Sequence, residues 1–162
     1  MHRANRERGF TILELMMVVM IIGILTSIFV PMAKSYMLRS KISEAILAMG
    51  QCKTVITEIV LSAGAFPAAD EWGCEANTVS NPTSNAAQYV KTISVSDTGV
   101  IKILVTGTGS LLVDNNYITM APLDNTGNPI TEGVNIGTWR CGSPLDGTEV
   151  RSDYLPNSCR GS

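Results

Sequence analysis

The fold is decided by the stretch Gly9-Phe10-Thr11-Ile12-Leu13-Glu14 and by the apolar run from Leu15 to Ala33 that follows it. Glu14 is the only charged side chain between Phe10 and Ala33. As a helix rising about 1.5 Å per residue, the run is long enough to cross the hydrocarbon core of a bilayer. The pattern therefore predicts a membrane helix with one carboxylate at its start.

The chain before this helix is a short basic leader, residues 1–9, with three arginines and one glutamate. An ordinary secretory signal carries a small-residue cleavage site after its apolar run, and Ala33-Lys34-Ser35 is a poor match to one. Helical spacing also continues past this point. The apolar run is therefore interpreted as part of the mature protein.

Apolar residues recur after the run at alternating spacings of about four and three, which places them on one helix face. This stripe comprises Leu38, Ile42, Ala45, Met49, Cys52, Ile56 and Ile59. A single helix is predicted from Phe10 to Leu61, ended by Gly64 and Pro67. Because the stripe is short for a coiled coil, we expect it to pack against a sheet of the same chain.

The rest of the chain predicts a loop followed by strands. Residues 62–87 are rich in Ala, Ser, Asn, Gly and Pro, as loops are. Strands are predicted at 89–95, with Tyr89, Ile93 and Val95 on one face, and at 100–105, 117–120 (closed by Pro122) and 135–141. The fold class is therefore α+β, a long helix on an antiparallel sheet of about four strands.

Four segments follow from these predictions. They are the leader, residues 1–9; a membrane or filament-core half of the helix, 10–33; an amphipathic half, 34–61; and a β-rich head, 62–162.

Charge and cysteine content restrict the partners and the compartment. Beyond Leu61 the chain has five Lys or Arg and ten Asp or Glu, which argues against binding nucleic acid. Four cysteines favour disulfides in an oxidising compartment, and three pairings are possible. Basic residues are balanced on the two sides of the membrane helix, so the cysteines are what place the head outside.

The sequence favours neither catalysis nor a cofactor. The only histidine, His2, lies in the leader, and no nucleophile–base pair is recognisable. Residues 124–128 resemble a fragment of a calcium loop, but a hairpin turn is the favoured interpretation because a full ligand set is not visible. Arg140, Arg151 and Arg160 are interspersed with acidic residues, which predicts a solvated surface of mixed charge. We expect no enzyme, cofactor or metal.

The motif Gly9-Phe10-Thr11-Ile12-Leu13-Glu14 resembles the class III signal of type IV pilins and pseudopilins. This resemblance implies that a prepilin peptidase cuts between Gly9 and Phe10 and methylates the new N-terminus at Phe10. It further implies assembly roles for Glu14, Gly23 and Pro31, including local melting of the helix from Gly23 to Pro31 when subunits pack. Cleavage creates an ammonium at Phe10, about 6 Å along the helix from Glu14 at 1.5 Å per residue, so the two are expected to pair within or between subunits.

The C-terminal region carries the same resemblance. Trp139-Arg140-Cys141 and Tyr154-Leu155-Pro156-Asn157-Ser158-Cys159-Arg160 resemble the disulfide-bounded region of type IVa pilins, which implies a Cys141–Cys159 bond. For the other two cysteines we choose Cys52–Cys74, which is local and would staple the loop to the helix. Loss of the C-terminal bond is expected to loosen residues 142–158, which have little apolar content.

The resemblance implies a type IV pilin that assembles with copies of itself into surface filaments, with roles in adhesion, motility or DNA uptake. Its implied partners are the prepilin peptidase, the inner-membrane pilus assembly machinery and the membrane, where the precursor waits with its head in the periplasm. Two alternatives remain open: a pseudopilin of a type II secretion system, and a minor DNA-uptake pilin that binds nucleic acid. The C-terminal cysteine pair favours a pilin, a calcium site would favour a pseudopilin, and salt-sensitive DNA binding would favour the minor pilin. A membrane-tethered enzyme is disfavoured.

Overall fold

A computed structural model describes residues 9–62, 65–78 and 85–161. It contains one long helix and four strands: α1 (Ile12–Ser62), β1 (Val90–Val95), β2 (Ile101–Val105), β3 (Tyr117–Leu123) and β4 (Thr138–Cys141). The strands form one antiparallel sheet in the order β1-β2-β3-β4. The predicted α+β class is confirmed. The leader before Gly9 and the expected helix terminator Gly64 lie outside the described residues.

The chain divides into two compact units, the first ending at Tyr36 and the second beginning at Met37. The second unit contains the later part of α1, the loop that follows it, the sheet and the segment after β4. Its buried core is formed mainly by α1, the sheet and that last segment, with Trp72 of the loop and Val113 of the β2–β3 turn added.

The helix stripe predicted from the sequence forms one side of the core. Five of its members are at most 1% exposed, and the outer two are partly buried against the same cluster. The five are Ile42, Ala45, Met49, Cys52 and Ile56. On the other side lie fully buried residues of β2 and β3, among them Ile103 and Ile118. Each large buried aliphatic side chain contributes about 1.5–3 kcal/mol, so this contact is a principal source of stability.

A β-bulge in β1 changes which residue faces the core. Val90 pairs with Val105 and Thr92 with Leu104, so Lys91 is an extra residue in β1. Val90 is buried, and Tyr89 is only partly buried. Tyr89 still packs against the core cluster that contains Ile93 and Val95, with its ring centre 5.6 Å from Lys41 Nζ of α1, so the bulge adds Val90 to this face.

Two predicted strand ends also move. β3 continues through Pro122, which the sequence analysis expected to close the strand. β2 pairs with β3 only as far as Met120, so Pro122 pairs on one side alone, with Trp139 of β4, and its missing N–H is tolerated. β4 begins at Thr138 rather than Asn135, and a Cβ added to Gly137 just before it would overlap the backbone of Asn125.

The predicted loop covers the outer edge of β1. Ala76 bridges to Ile93 with two backbone hydrogen bonds of 3.0 and 2.9 Å. The Asp70 N–H donates to the Val95 carbonyl at 2.8 Å, and the Asp70 carboxylate accepts from the Val95 N–H at 3.0 Å. Unpaired edge strands invite association with other chains, and this loop satisfies part of the edge.

Candidate functional site

The helix start combines the predicted processing and assembly residues with a cap. α1 begins at Ile12, and the Thr11 hydroxyl accepts a hydrogen bond from the Glu14 N–H at 3.3 Å. Thr-x-x-Glu is the arrangement of a capping box, in which the threonine satisfies a backbone donor that has no partner within the helix. Thr11 was not among the predicted site residues, although its capping motif is present in the sequence. Glu14 also lies in the first turn, where a negative charge interacts favourably with the helix dipole.

Gly9 and Phe10 lie in extended chain just before this cap, and both are exposed. A Cβ placed on Gly9 would meet no atom within 4 Å. The fold of this chain therefore gives no packing reason for a glycine at position 9.

The first unit exposes its apolar side chains on all sides. From Phe10 to Met32, every large apolar residue described is at least 42% exposed. Among the described residues, α1 is the one helix long and apolar enough to cross a membrane, judged by length and composition. Such a surface is stable only when lipid or other protein covers it.

Small residues mark one face of this unit. An open groove of about 680 Å³ is lined by Gly23, Thr26, Ser27, Val30 and Lys34. The Thr26 and Ser27 hydroxyls donate to helix carbonyls at 2.7 and 2.8 Å, so neither is left unsatisfied in apolar surroundings. Gly23 costs about 1 kcal/mol relative to alanine in a helix. A Cβ there would meet nothing within 4 Å, so the single chain does not require this glycine.

α1 runs without a break through Pro31. Proline has no N–H to donate to the carbonyl four residues earlier, here that of Ser27. The segment between Gly23 and Pro31 is helical here, and its melting on assembly stays a prediction.

The structure brings the cysteines together in two pairs. Cys52 on α1 is bonded to Cys74 in the loop, with Cα atoms 5.1 Å apart. Cys141 at the end of β4 is bonded to Cys159, with Cα atoms 4.6 Å apart. Both separations lie in the usual range for disulfides.

The segment after β4 is held by more than its disulfide. Val150 and Leu155 are buried in the core. The Thr119 and Thr148 hydroxyls, both buried, hydrogen-bond at 2.7 Å. Residues 142–158 were expected to have little apolar content to hold them, but two apolar side chains and a buried polar pair anchor them in addition to the disulfide. Their loosening on loss of the bond stays a prediction.

Two basic residues of α1 reach the head in ways that the sequence analysis missed. Arg39 donates from Nε and Nη2 to the Asp153 carbonyl at 3.2 and 3.0 Å. Lys41 donates to the Thr108 carbonyl at 2.7 Å. The sequence carries no local signal for these contacts, because the partners are 114 and 67 residues away.

Two of the three C-terminal arginines pair with acidic neighbours. Arg140 forms a two-pronged contact with Asp146 at 2.8 and 2.6 Å, and this hydrogen-bonded partner raises the pKa of Arg140. Arg151 lies 2.6 Å from Asp153 on the surface. Arg160 donates through Nε to the Leu155 carbonyl.

The Asp124 turn uses its carboxylate internally. One oxygen of Asp124 accepts hydrogen bonds from the Thr126 hydroxyl, the Thr126 N–H and the Asn128 N–H, at 2.7, 2.7 and 2.9 Å. These bonds lower the pKa of Asp124. Within the described residues, no group of three or more His, Cys, Asp or Glu side chains is placed to hold a metal ion.

Comparison with known proteins gives two family matches. Residues 38–160 match the pilin family, described as a bacterial filament protein. Residues 4–30 match the prokaryotic N-terminal methylation motif.

Individual relatives extend over nearly the whole chain. A type IV major pilin protein PilE1 of Neisseria gonorrhoeae is 31% identical over 95% of this chain and 94% of its own. A fimbrial protein EcpC of Eikenella corrodens is 32% identical over 96% and 92%. The type IV major fimbrial protein FimA of Dichelobacter nodosus is 46% identical over 55 residues, which are 34% of this chain and 35% of that protein.

Proposed function

Because the chain belongs to the pilin family of bacterial filament proteins, we infer that it is a structural subunit of a type IV pilus. The observation that carries this function is the contrast between the two units. The second unit has a buried apolar core of its own, whereas the described part of the first exposes its large apolar side chains on all sides of one helix. A helix of this kind is suited to a bilayer before assembly and to a bundle of identical helices afterwards. The role is structural rather than enzymatic, as family membership suggests.

The proposed precursor is processed between Gly9 and Phe10. The N-terminal methylation motif implies the action of a prepilin peptidase, and Phe10 is the residue we propose to be methylated. Gly9 is exposed, and a Cβ added there would meet no described atom within 4 Å. This supports the proposal that the peptidase, rather than packing within the chain, requires a glycine at this position.

Assembly in this proposal depends on Gly23, Pro31 and Glu14. Gly23 weakens the helix, and the open space where a Cβ would lie lets a second helix approach closely. Pro31 supplies the second weak point, which would allow the helix between them to melt. The charge of Glu14 would pair with the Phe10 ammonium of a neighbour, because a carboxylate inside a helix bundle costs several kcal/mol unless it has a partner.

The proposed location changes with assembly. The filament is extracellular, and the precursor is held in the inner membrane by α1 with its disulfide-bonded head in the periplasm. The inner-membrane pilus assembly machinery is the partner that would extract it. Adhesion, motility or DNA uptake is the role proposed for the finished filament.

The function is tested on surface filaments. Sheared filaments viewed by electron microscopy should have this chain as a subunit by mass spectrometry, with an N-methylated Phe10 as its first residue. Deleting the gene should abolish or alter the filaments, and re-expression should restore them. Cells that display the processed chain only as an isolated membrane protein, with filaments unchanged by its deletion, would contradict the proposal.

A further inference from the structure

The turn between β2 and β3 presents two neighbouring leucines to solvent. Leu111 is 96% exposed and Leu112 is 59% exposed. The next residue, Val113, is fully buried in the core. The turn therefore buries one apolar side chain and holds two others away from the same core.

Hydrogen bonds fix this turn, so the leucines cannot simply fold back. The Asp114 carboxylate accepts from the N–H groups of Thr108 and Gly109 at 2.9 and 3.1 Å. Lys41 of α1 donates to the Thr108 carbonyl, and Asn116 donates to the Leu112 carbonyl at 3.2 Å. A preorganised apolar tip loses little conformational entropy when it binds, which favours association.

An open groove lies on the exposed face of α1 in the same unit. It has a volume of about 720 Å³ and is lined by Lys53, Thr54, Thr57, Glu58, Leu61 and Ser62. Leu61 is 69% exposed and supplies its apolar floor, to which the threonine methyls and the stems of Lys53 and Glu58 add. Lys53 is held 5.7 Å from the centre of the Trp139 ring.

We propose that Leu111 and Leu112 of one subunit insert into the groove around Leu61 of a neighbouring copy. This contact rests on the proposed function, since it names an interface within the filament. The leucines cannot fill the groove of their own chain, because the turn is tied to Lys41, and Lys53 lies about 18 Å further along α1 at 1.5 Å per residue. A tip and a groove at different places on one molecule make a head-to-tail contact, which repeats into an open polymer rather than a closed dimer. A lipid surface would contact the two leucines but leave the groove around Leu61 unused, whereas a second copy of the chain would use both surfaces.

The contact is tested in filaments of the full chain that carry Leu111→Cys with Leu61→Cys. Oxidation of sheared filaments should join neighbouring subunits into a ladder of dimers, trimers and larger species on a non-reducing gel. The matched control is Leu111→Cys with Leu47→Cys, because Leu47 is 76% exposed on the same helix but lies outside the groove. The control should stay largely monomeric.

A measurement without added cysteines guards against disulfide exchange. Leu111→Ser with Leu112→Ser should leave subunit folding unchanged but let filaments dissociate at a lower detergent concentration. A photoreactive side chain at position 112 should label a peptide containing Leu61 from a neighbouring subunit.

Three results would overturn the contact: an equal ladder from the control, dimers from Leu111→Cys alone, or labelling only of lipid. Normal filaments without a ladder would also overturn it while leaving the proposed function intact. Absence of this chain from filaments would instead count against the proposed function.

Discussion

At the scale of single residues, a substitution of Gly9 should affect processing by the peptidase but not folding. Because a Cβ at this position has open space, Gly9→Val should leave the fold of the chain unchanged. It should block cleavage, since a branched side chain hinders close backbone approach in the peptidase. Intact-mass measurement should find Met1 retained on an unassembled membrane precursor.

The control is Gly50→Ala, at a glycine of α1 that also has open space around it, and this variant should be processed normally. Filaments of Gly9→Val subunits that begin at Phe10 would contradict the prediction.

Asp114 makes the β2–β3 turn sensitive to acid. Burial raises the pKa of its carboxyl, but hydrogen bonds from Thr108 and Gly109, with the nearby charge of Lys41, outweigh this and lower the pKa below 3.8. A carboxyl whose pKa is lowered in the folded state stabilises that state above its unfolded pKa, and this contribution disappears as the pH falls through the folded pKa.

Asp114→Asn should therefore lower the free energy of unfolding by about 1 kcal/mol at pH 7, the usual contribution of such a hydrogen bond. The difference from the unmodified chain should shrink as the pH falls through the lowered pKa of Asp114 and its carboxylate is protonated. Denaturant titrations of the full chain in detergent at several pH values measure it. A difference that does not change with pH would show that the charge of Asp114 is unimportant.

At the scale of elements, the packing of α1 on the sheet should dominate the stability of the second unit. Ile56→Ala removes a fully buried side chain from the stripe and should cost about 2–5 kcal/mol. Leu47→Ala, on the exposed face of the same helix, should change stability by less than about 0.5 kcal/mol. Thermal unfolding of both variants compares the two faces, and equal losses would contradict the packing described above.

The disulfide after β4 should have a local rather than a global effect. Replacing Cys141 and Cys159 by serine should cost about 3 kcal/mol in the chain-entropy model for a bond of 18-residue separation. Val150 and the Thr119–Thr148 pair should keep the first part of the segment in place, so hydrogen exchange should rise mainly over residues 156–161. An equal rise over all of residues 142–161 would contradict this.

Peptide mapping of the unmodified chain without reduction checks the pairing of the four cysteines. Recovery of a Cys52–Cys141 peptide would refute the pairing described here.

Elements with a periodic sequence pattern could be predicted, whereas features that depend on contacts between distant residues could not. The stripe of α1 was readable because a helix repeats every 3.6 residues, which fixes its buried face without reference to any partner. The bulge at Lys91 was not, since one extra residue is visible only against the register of β2. The same reason hid Arg39 and Lys41, whose partners lie far along the chain. Thr11 was a different miss, because its capping motif was present in the sequence.

At the scale of the whole molecule, Glu14 has two separable roles, as part of a helix cap and as a charge. Glutamine can replace glutamate in a capping box but carries no charge. Glu14→Gln should therefore be inserted, processed and folded normally, yet fail to assemble or be outcompeted by unmodified subunits. Thr11→Ala is the matched control, because it removes the observed cap and keeps the charge. Normal filament yield from Glu14→Gln as the sole subunit would leave the proposed charge pair without support.

The packing of α1 on the sheet determines how the second unit bears mechanical load. A pull along the part of α1 that carries the stripe acts on the sheet as shear. The bond between Cys52 and Cys74 then limits how far the head can lengthen if that contact yields. At about 3.3–3.6 Å per extended residue, the separation of 22 residues that it closes withholds roughly 75 Å of chain. A fibre built from such subunits would therefore not lengthen under tension by extending the loops that these disulfides close.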